Sequence, residues 1–265
     1  KIKILFYIVV CIVGAMFFTS CDDYLDINTN PNQSQTSRAD LQLSSAQLYI
    51  GNAIGDRLFS QTNTWCQYNT GGPGVSIGDW DQNTMNSTDA NQVFINLYRS
   101  SSNLSFLQSG HNGYKAIGKI LTAYNMQVCA DLFGDIPYSE GGMGKYDILR
   151  PKYDSQSELY SDMVSKLKEC VTVLKNAGND KVYASNEDLI YAGNRENWVR
   201  FANSLRLRLA MRARNADPSK YNAVITECLA VPLIETNLQN AKLDCFDSDN
   251  GELYNPWNDY YINIS

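Results

Sequence analysis

Histidine is almost missing from this sequence; His111 stands alone. One imidazole cannot build a histidine metal cluster, and it is a thin basis for a nucleophile triad. Positive charge is also short. Lys and Arg number 22 against 28 Asp and Glu, a net charge of −6. Without Lys1 and Lys3, which precede an apolar run, the balance is 20 against 28, or −8. Nucleic-acid binding rests on neutralising phosphates, so this balance argues against it. The one basic stretch is Arg200 to Arg214. Paired-cysteine motifs are absent too. Seven cysteines occur, at 11, 21, 66, 129, 170, 228 and 245, with no C-x-x-C among them. Cys129, Cys170 and Cys228 fall on apolar helix faces, where a free thiol behaves as a small hydrophobe. No disulfide framework is expected.

The N-terminus lacks two further things. Its apolar run, Ile4 to Phe18, has 15 residues, while a bilayer-spanning helix needs about 20. It also lacks the A-x-A-like site of an ordinary export signal. What it has is Lys1-Ile2-Lys3, the apolar run, then Thr19-Ser20-Cys21. Small residues directly before a cysteine form the pattern of a bacterial lipoprotein signal. Residues 1–20 are therefore expected to be a signal peptide, with Cys21 the lipidated N-terminus of the mature chain. Two or more acyl chains anchor firmly where one binds only marginally. Residues 21–38, rich in Asp, Asn, Gln, Ser and Thr, have little to bury and read as a tether. The remainder, 39–265, reads as one helical domain. Its 27 Asn and 17 Tyr suit a wet, exported surface.

Helical spacing runs through most of that remainder. Leu43, Ala46, Ile50 and Ala53 mark a helix over 39–59. Residues 61–87, with Gly71, Gly72, Pro73, Gly74 and Gly78, predict a long loop. Periodicity returns at 89–108 and again from Tyr114 to Leu132, with Gly134 as the C-terminal stop. Pro137 forces Ile136 into an extended turn. Ser155 and Glu158 form a capping box for a helix with Leu159, Met163, Leu167, Val171 and Leu174 on its core face. Another helix covers about 197–214. Asp217 and Pro218 open the next, with Tyr221, Val224, Ile225, Cys228 and Leu229 as its stripe. Beyond about 232 periodicity is lost. The expected class is mostly α with little β. Helix pairs joined by loops suggest a tetratricopeptide-like array, although no clean period of roughly 34 residues is present.

Several constellations compete for chemistry. Asp131, Asp135 and Glu140 in "DLFGDIPYSE" are close enough to suggest a carboxylate pair for glycoside hydrolysis. A capped helix end followed by a proline turn explains the same residues structurally. Arg200, Arg206, Arg208, Arg212 and Arg214 could form an anion site, but they flank a packing face and are expected to pair or snorkel. "DCFDSDNGE" (244–252) has calcium-like oxygens but fails EF-hand spacing, with Gly251 out of phase and no glutamate at the twelfth position. The best ligand candidate is the long loop, "TWCQYNTGGPGVSIGDWDQN". Trp65, Tyr68 and Trp80 offer flat rings for the C–H faces of a sugar. Asp79 and Asn83 offer bidentate partners for its hydroxyls. Equally, the tryptophans can serve as buried anchors of the loop. Trp257, Tyr260 and Tyr261 in "YNPWNDYY" form a second aromatic group.

Four features, taken in order, resemble one family. They are "CDDYLDINTNPN" (21–32), "KAIGKILTAYNMQVCADLFGDIPYSE" (115–140), "WVRFANSLRLRLAMRAR" (198–214) and the succession of helix pairs. Together they are similar to the SusD/RagB family of nutrient-binding outer-membrane lipoproteins, in the SusD-like branch of Bacteroidetes. The resemblance implies a lipid-anchored protein on the outer face of the outer membrane. It implies a lid over a SusC-like TonB-dependent transporter, capture of an oligosaccharide or in some members a peptide, and no catalysis. Neither a cofactor nor a metal is expected. It also implies that the "FGDIPYSE" segment is structural. Family members are usually longer, so the resemblance further implies that this chain represents their N-terminal half. Two rival readings remain: a structural transporter subunit without its own ligand, and a surface enzyme.

Overall fold

A computed structural model describes residues 38–69, 88, 90–107, 111–144, 147–176 and 186–244. The chain divides into two units, Lys1–Ser37 and Arg38–Ser265, and every described residue belongs to the second. The signal, Cys21 and the tether up to residue 37 lie outside the described residues. So do Asp79, Trp80, Asn83, Cys245 and the aromatic group near 257.

Seven α-helices follow one another among the described residues: α1 Ala39–Asn52, α2 Phe59–Trp65, α3 Asn91–Phe106, α4 Asn112–Phe133, α5 Gln156–Asn176, α6 Arg195–Ala213 and α7 Pro218–Leu229. No strand occurs among them; the sole extended pairing is a bridge between Ile136 and Asp154. From α4 onward each helix packs chiefly on its chain neighbours, while α3 packs on α1 and α4. That succession is the tetratricopeptide-like arrangement the sequence predicts.

Apolar spacing builds the shared core. Leu43, Ala46 and Ile50 of α1 meet Val93, Leu97 and Leu104 of α3 in one cluster with Ile117, Ile120 and Leu121 of α4. Leu159, Met163, Leu167, Val171 and Leu174 of α5 are all buried, as their three-and-four spacing requires. Trp198, Ala202, Leu205 and Leu209 do the same for α6. Polar side chains, some buried and some at the surface, also tie neighbouring helices together. Asn125 is fully buried and donates to Ser100 Oγ at 2.9 Å, joining α4 to α3. Buried Arg206 pairs with Glu227 at 2.6 Å, and Lys168 reaches the same carboxylate at 3.0 Å, so α5, α6 and α7 share one ion cluster.

The structure differs from the sequence reading in two places. The chain stays helical through Trp65, so the first five residues of the expected loop, 61–65, belong to α2. A π-helical stretch, Ala53–Leu58, links α1 to α2 without a break. The buried face of α2 is Ser60, Gln61 and Thr64, so no apolar period marks it. Thr64 Oγ1 donates back to the Ser60 carbonyl at 2.9 Å, which satisfies the hydroxyl inside its own helix. Second, Leu229 does not join the stripe of α7. It is exposed, and Tyr221 and Cys228 carry the burial.

Helix ends follow their local chemistry. His111 caps α4, its Nδ1 accepting the Gly113 N–H at 3.3 Å. Gly134 ends that helix at φ +77°, ψ −124°, which glycine adopts without a Cβ penalty. Ser155 and Glu158 exchange backbone N–H bonds at 3.3 Å as a capping box. Asp217 accepts the Lys220 N–H at 3.1 Å, with Pro218 opening α7.

The turn after α4 is held by carboxylates. Asp154 accepts the N–H groups of Tyr138 (3.0 Å) and Ser139 (2.6 Å) and the Ser139 hydroxyl (2.9 Å). Burial pushes the Asp154 pKa up, but these bonds and Lys152 outweigh it and hold the carboxyl below its ordinary 3.8. A depressed carboxylate pKa stabilises the fold above its unfolded value, and that contribution is lost as pH falls through the folded pKa. Asp154→Asn is therefore expected to be less stable at pH 7 and to lose less on acidification below about pH 4. Chemical denaturation at pH 7 and pH 3 checks this; a wild-type acid response in Asp154→Asn would contradict it.

A second carboxylate organises the segment before α6. Asp188 is 2% exposed and collects five donors. Its Oδ1 accepts from Gln47 Nε2 of α1 at 2.9 Å and from the N–H groups of Ile190 and Tyr191. Its Oδ2 accepts the Gly193 N–H at 3.0 Å and the Trp198 indole at 2.8 Å. Gln47 Oε1 in turn accepts the Leu189 N–H at 2.8 Å. Beyond α7, the aperiodic chain runs along α6 by polar hooks: Arg200 to the Leu233 carbonyl, Asn203 to Pro232 and Ser204 from the Ile234 N–H.

Candidate functional site

Two of the five predicted ligand residues are described, and they stand at the end of α2. Trp65 is its last residue and is half-buried, with an indole N–H that is buried and has no partner among the described residues. Past it the chain turns sharply. Gln67 takes φ +60°, and the Asn63 carbonyl accepts the N–H groups of Tyr68 (2.9 Å) and Asn69 (3.3 Å). This turn lifts Tyr68 to 81% exposure. So the helix end presents one exposed ring and one half-sunk ring. Both lead into the glycine-rich stretch that contains Asp79, Trp80 and Asn83, outside the described residues.

The rival carboxylates hold the fold. Asp135 accepts the Gln156 N–H at 2.9 Å and caps the start of α5. Glu140 accepts the Lys152 N–H at 2.9 Å. Asp131 accepts from Gln127, from the Tyr160 hydroxyl and from Arg212 at 2.8 Å. The three therefore serve three separate sets of donors. The arginines pair as expected. Arg200 bonds Glu196 at 3.2 Å, Arg206 pairs with Glu227, and Arg214 donates to Asn222 at 2.9 Å. Arg208 donates to Gln127 and lies 5.2 Å over the Tyr124 ring. Burial pushes the Cys129 and Cys170 thiols up to about 12 and about 11, which keeps them protonated and inert. Among the described residues, no group of three or more His, Cys, Asp or Glu is placed to hold a metal ion. Nor is any described helix long and apolar enough to cross a membrane.

A cleft between helix ends beside Asp131 and Arg212 leaves no mark in the sequence. Its lining comes from four helices, each with an ordinary local pattern, and Arg212 reads in sequence as one more flanking arginine.

Consecutive helices stacked on their neighbours, with capped ends, carboxylate-held turns and aromatic rings at a loop stem, define a tetratricopeptide-like helical protein. Residues 31–262 match the SusD-like family described as "Starch-binding associating with outer membrane", and the chain belongs to that family. Solved structures agree on the fold. A SusD/RagB family protein from Bacteroides thetaiotaomicron is 22% identical with a TM-score of 0.69, over 86% of this chain and 48% of its own. A Bacteroidetes SusD-like protein is 26% identical with a TM-score of 0.67, over 82% and 42%. A chitin-binding protein is 24% identical with a TM-score of 0.65, over 77% and 45%. The chain thus spans less than half the length of these relatives. No curated protein sequence matches it.

Proposed function

We propose that this chain is the N-terminal helical part of a cell-surface, nutrient-binding protein of the outer membrane. It captures an oligosaccharide and delivers it to a SusC-like TonB-dependent transporter, without chemistry of its own. The family match across 31–262, under a starch-binding, outer-membrane description, carries this reading. The lipoprotein pattern ending at Cys21 supports attachment by lipid. The commitment of Asp131, Asp135 and Glu140 to structural donors supports a binding role over a hydrolytic one. Tyr68 and Trp65 at the loop stem, with Trp80, Asp79 and Asn83 in the loop, are the proposed glycan contacts.

The test is tryptophan fluorescence of the full protein, starting after Cys21, titrated with oligosaccharides and with peptides. A saturable change with a glycan is expected, weakened about tenfold or more in Trp80→Ala, as loss of an aromatic anchor gives. Response to peptides alone would move the protein to a peptide-importing role. Silence to both would favour a structural subunit of the transporter.

A further inference from the structure

A cleft of about 460 Å³ opens where the C-terminal ends of α4 and α6 meet the starts of α5 and α7. Pockets for small ligands run from about 300 to 1,000 Å³. The space exists because Ala213 and Ala216 carry only methyl groups along one wall. Tyr160 and Tyr221, both buried, close its floor. Arg212 and Lys220 stand at its rim, the Arg212 side chain 51% exposed.

The hydrogen-bonding balance of this cleft is uneven. Its acceptors are committed. Asp131 serves Gln127, Tyr160 and Arg212, and Asp217 serves the Lys220 N–H and the Ser219 hydroxyl. Its donors are only partly so. A guanidinium carries five N–H groups in a planar fork, and Arg212 spends part of them on Asp131 and on the Tyr160 hydroxyl. An ammonium carries three, and Lys220 gives one to Ser161. Surplus cationic donors beside engaged carboxylates call for an anion that can accept several bonds. Asp131 and Asp217 nearby would repel a dianion such as phosphate, whereas a planar, singly charged carboxylate fits the free edge of the fork.

We infer that this cleft is a second binding site, for the carboxylate of a uronic acid unit, with Arg212 as the bidentate partner and Lys220 as a supporting charge. The carboxylate follows from the cleft itself; that a sugar carries it rests on the proposed glycan role. The described residues that line it belong to other helices than the loop stem at Trp65 and Tyr68, so the two can fail independently.

Calorimetric titration of the full protein, starting after Cys21, with galacturonate, galactose and the peptide carboxylate N-acetyldiglycine tests it. Galacturonate should bind at least about tenfold more tightly than galactose, since one charge-assisted pair separates them. Added salt should weaken binding. Arg212→Gln and Lys220→Gln should each weaken it. Ala216→Trp, which fills the cleft and leaves every polar group in place, should abolish it. Trp80→Ala should leave it unchanged. Galactose binding as well as galacturonate, the peptide binding as well as the sugar, or Ala216→Trp binding like wild type would each overturn the inference.

Discussion

Asp188→Ala is expected to cost about 4 kcal/mol or more of folding stability, the largest single-residue effect in this array. The carboxylate is buried and takes five donors from three places: α1, its own turn and α6. Alanine leaves the Trp198 indole, the Gln47 amide and three backbone N–H groups without partners, in a space that water reaches poorly. Each buried donor left unmet costs about 1–3 kcal/mol. Asp188→Asn should lie between. It keeps one acceptor oxygen but turns an NH2 toward two groups that are themselves donors. Urea denaturation of the full protein measures both. A loss below about 1 kcal/mol for the alanine variant would mean that solvent satisfies those donors, contrary to the burial.

Cys21→Ala is expected to move the protein from the membrane fraction to the soluble fraction almost completely. Under the proposed lipoprotein attachment every acyl chain sits on this residue, and nothing in the described helices is long and apolar enough to substitute. Each buried methylene is worth roughly 0.8 kcal/mol, so losing two or three chains removes the whole affinity. Fractionation of cells that make either form, with labelling by an alkyne fatty acid, checks the result. A variant that still fractionates with membranes and takes no label would end the lipid-anchor proposal.

Much of the fold is legible because it is local. Gly134, the Ser155–Glu158 box and the Asp217–Pro218 start each solve a problem within four residues of themselves. The core faces of α5 and α6 are likewise legible, since burial there is apolar and periodic. What escapes sequence reading is polar or distant. The buried face of α2 is hydroxyl and amide, so it has no hydrophobic period. Asp188 looks like any loop aspartate until Gln47, 141 residues away, is placed beside it. For the candidate site, residue types were enough to nominate Trp65 and Tyr68. That one ends a helix while the other stands free depends on the turn at Gln67. The Arg212 cleft had no signal at all, because a void left by two alanines is a property of packing.

The π-helical stretch Ala53–Leu58 sets the direction in which that loop stem faces. A regular helix advances about 100° per residue, so one residue absorbed by a wider turn rotates everything after it by about that angle. Wound as a regular helix, the same residues would carry Ser60, Gln61 and Thr64 out of the interior and swing Trp65 with Tyr68 to another side of the array. Removing one residue there, Gly55 for example, takes up the extra residue and leaves those faces where they are. The aim of the rings is thus written as a phase offset more than a turn upstream of them.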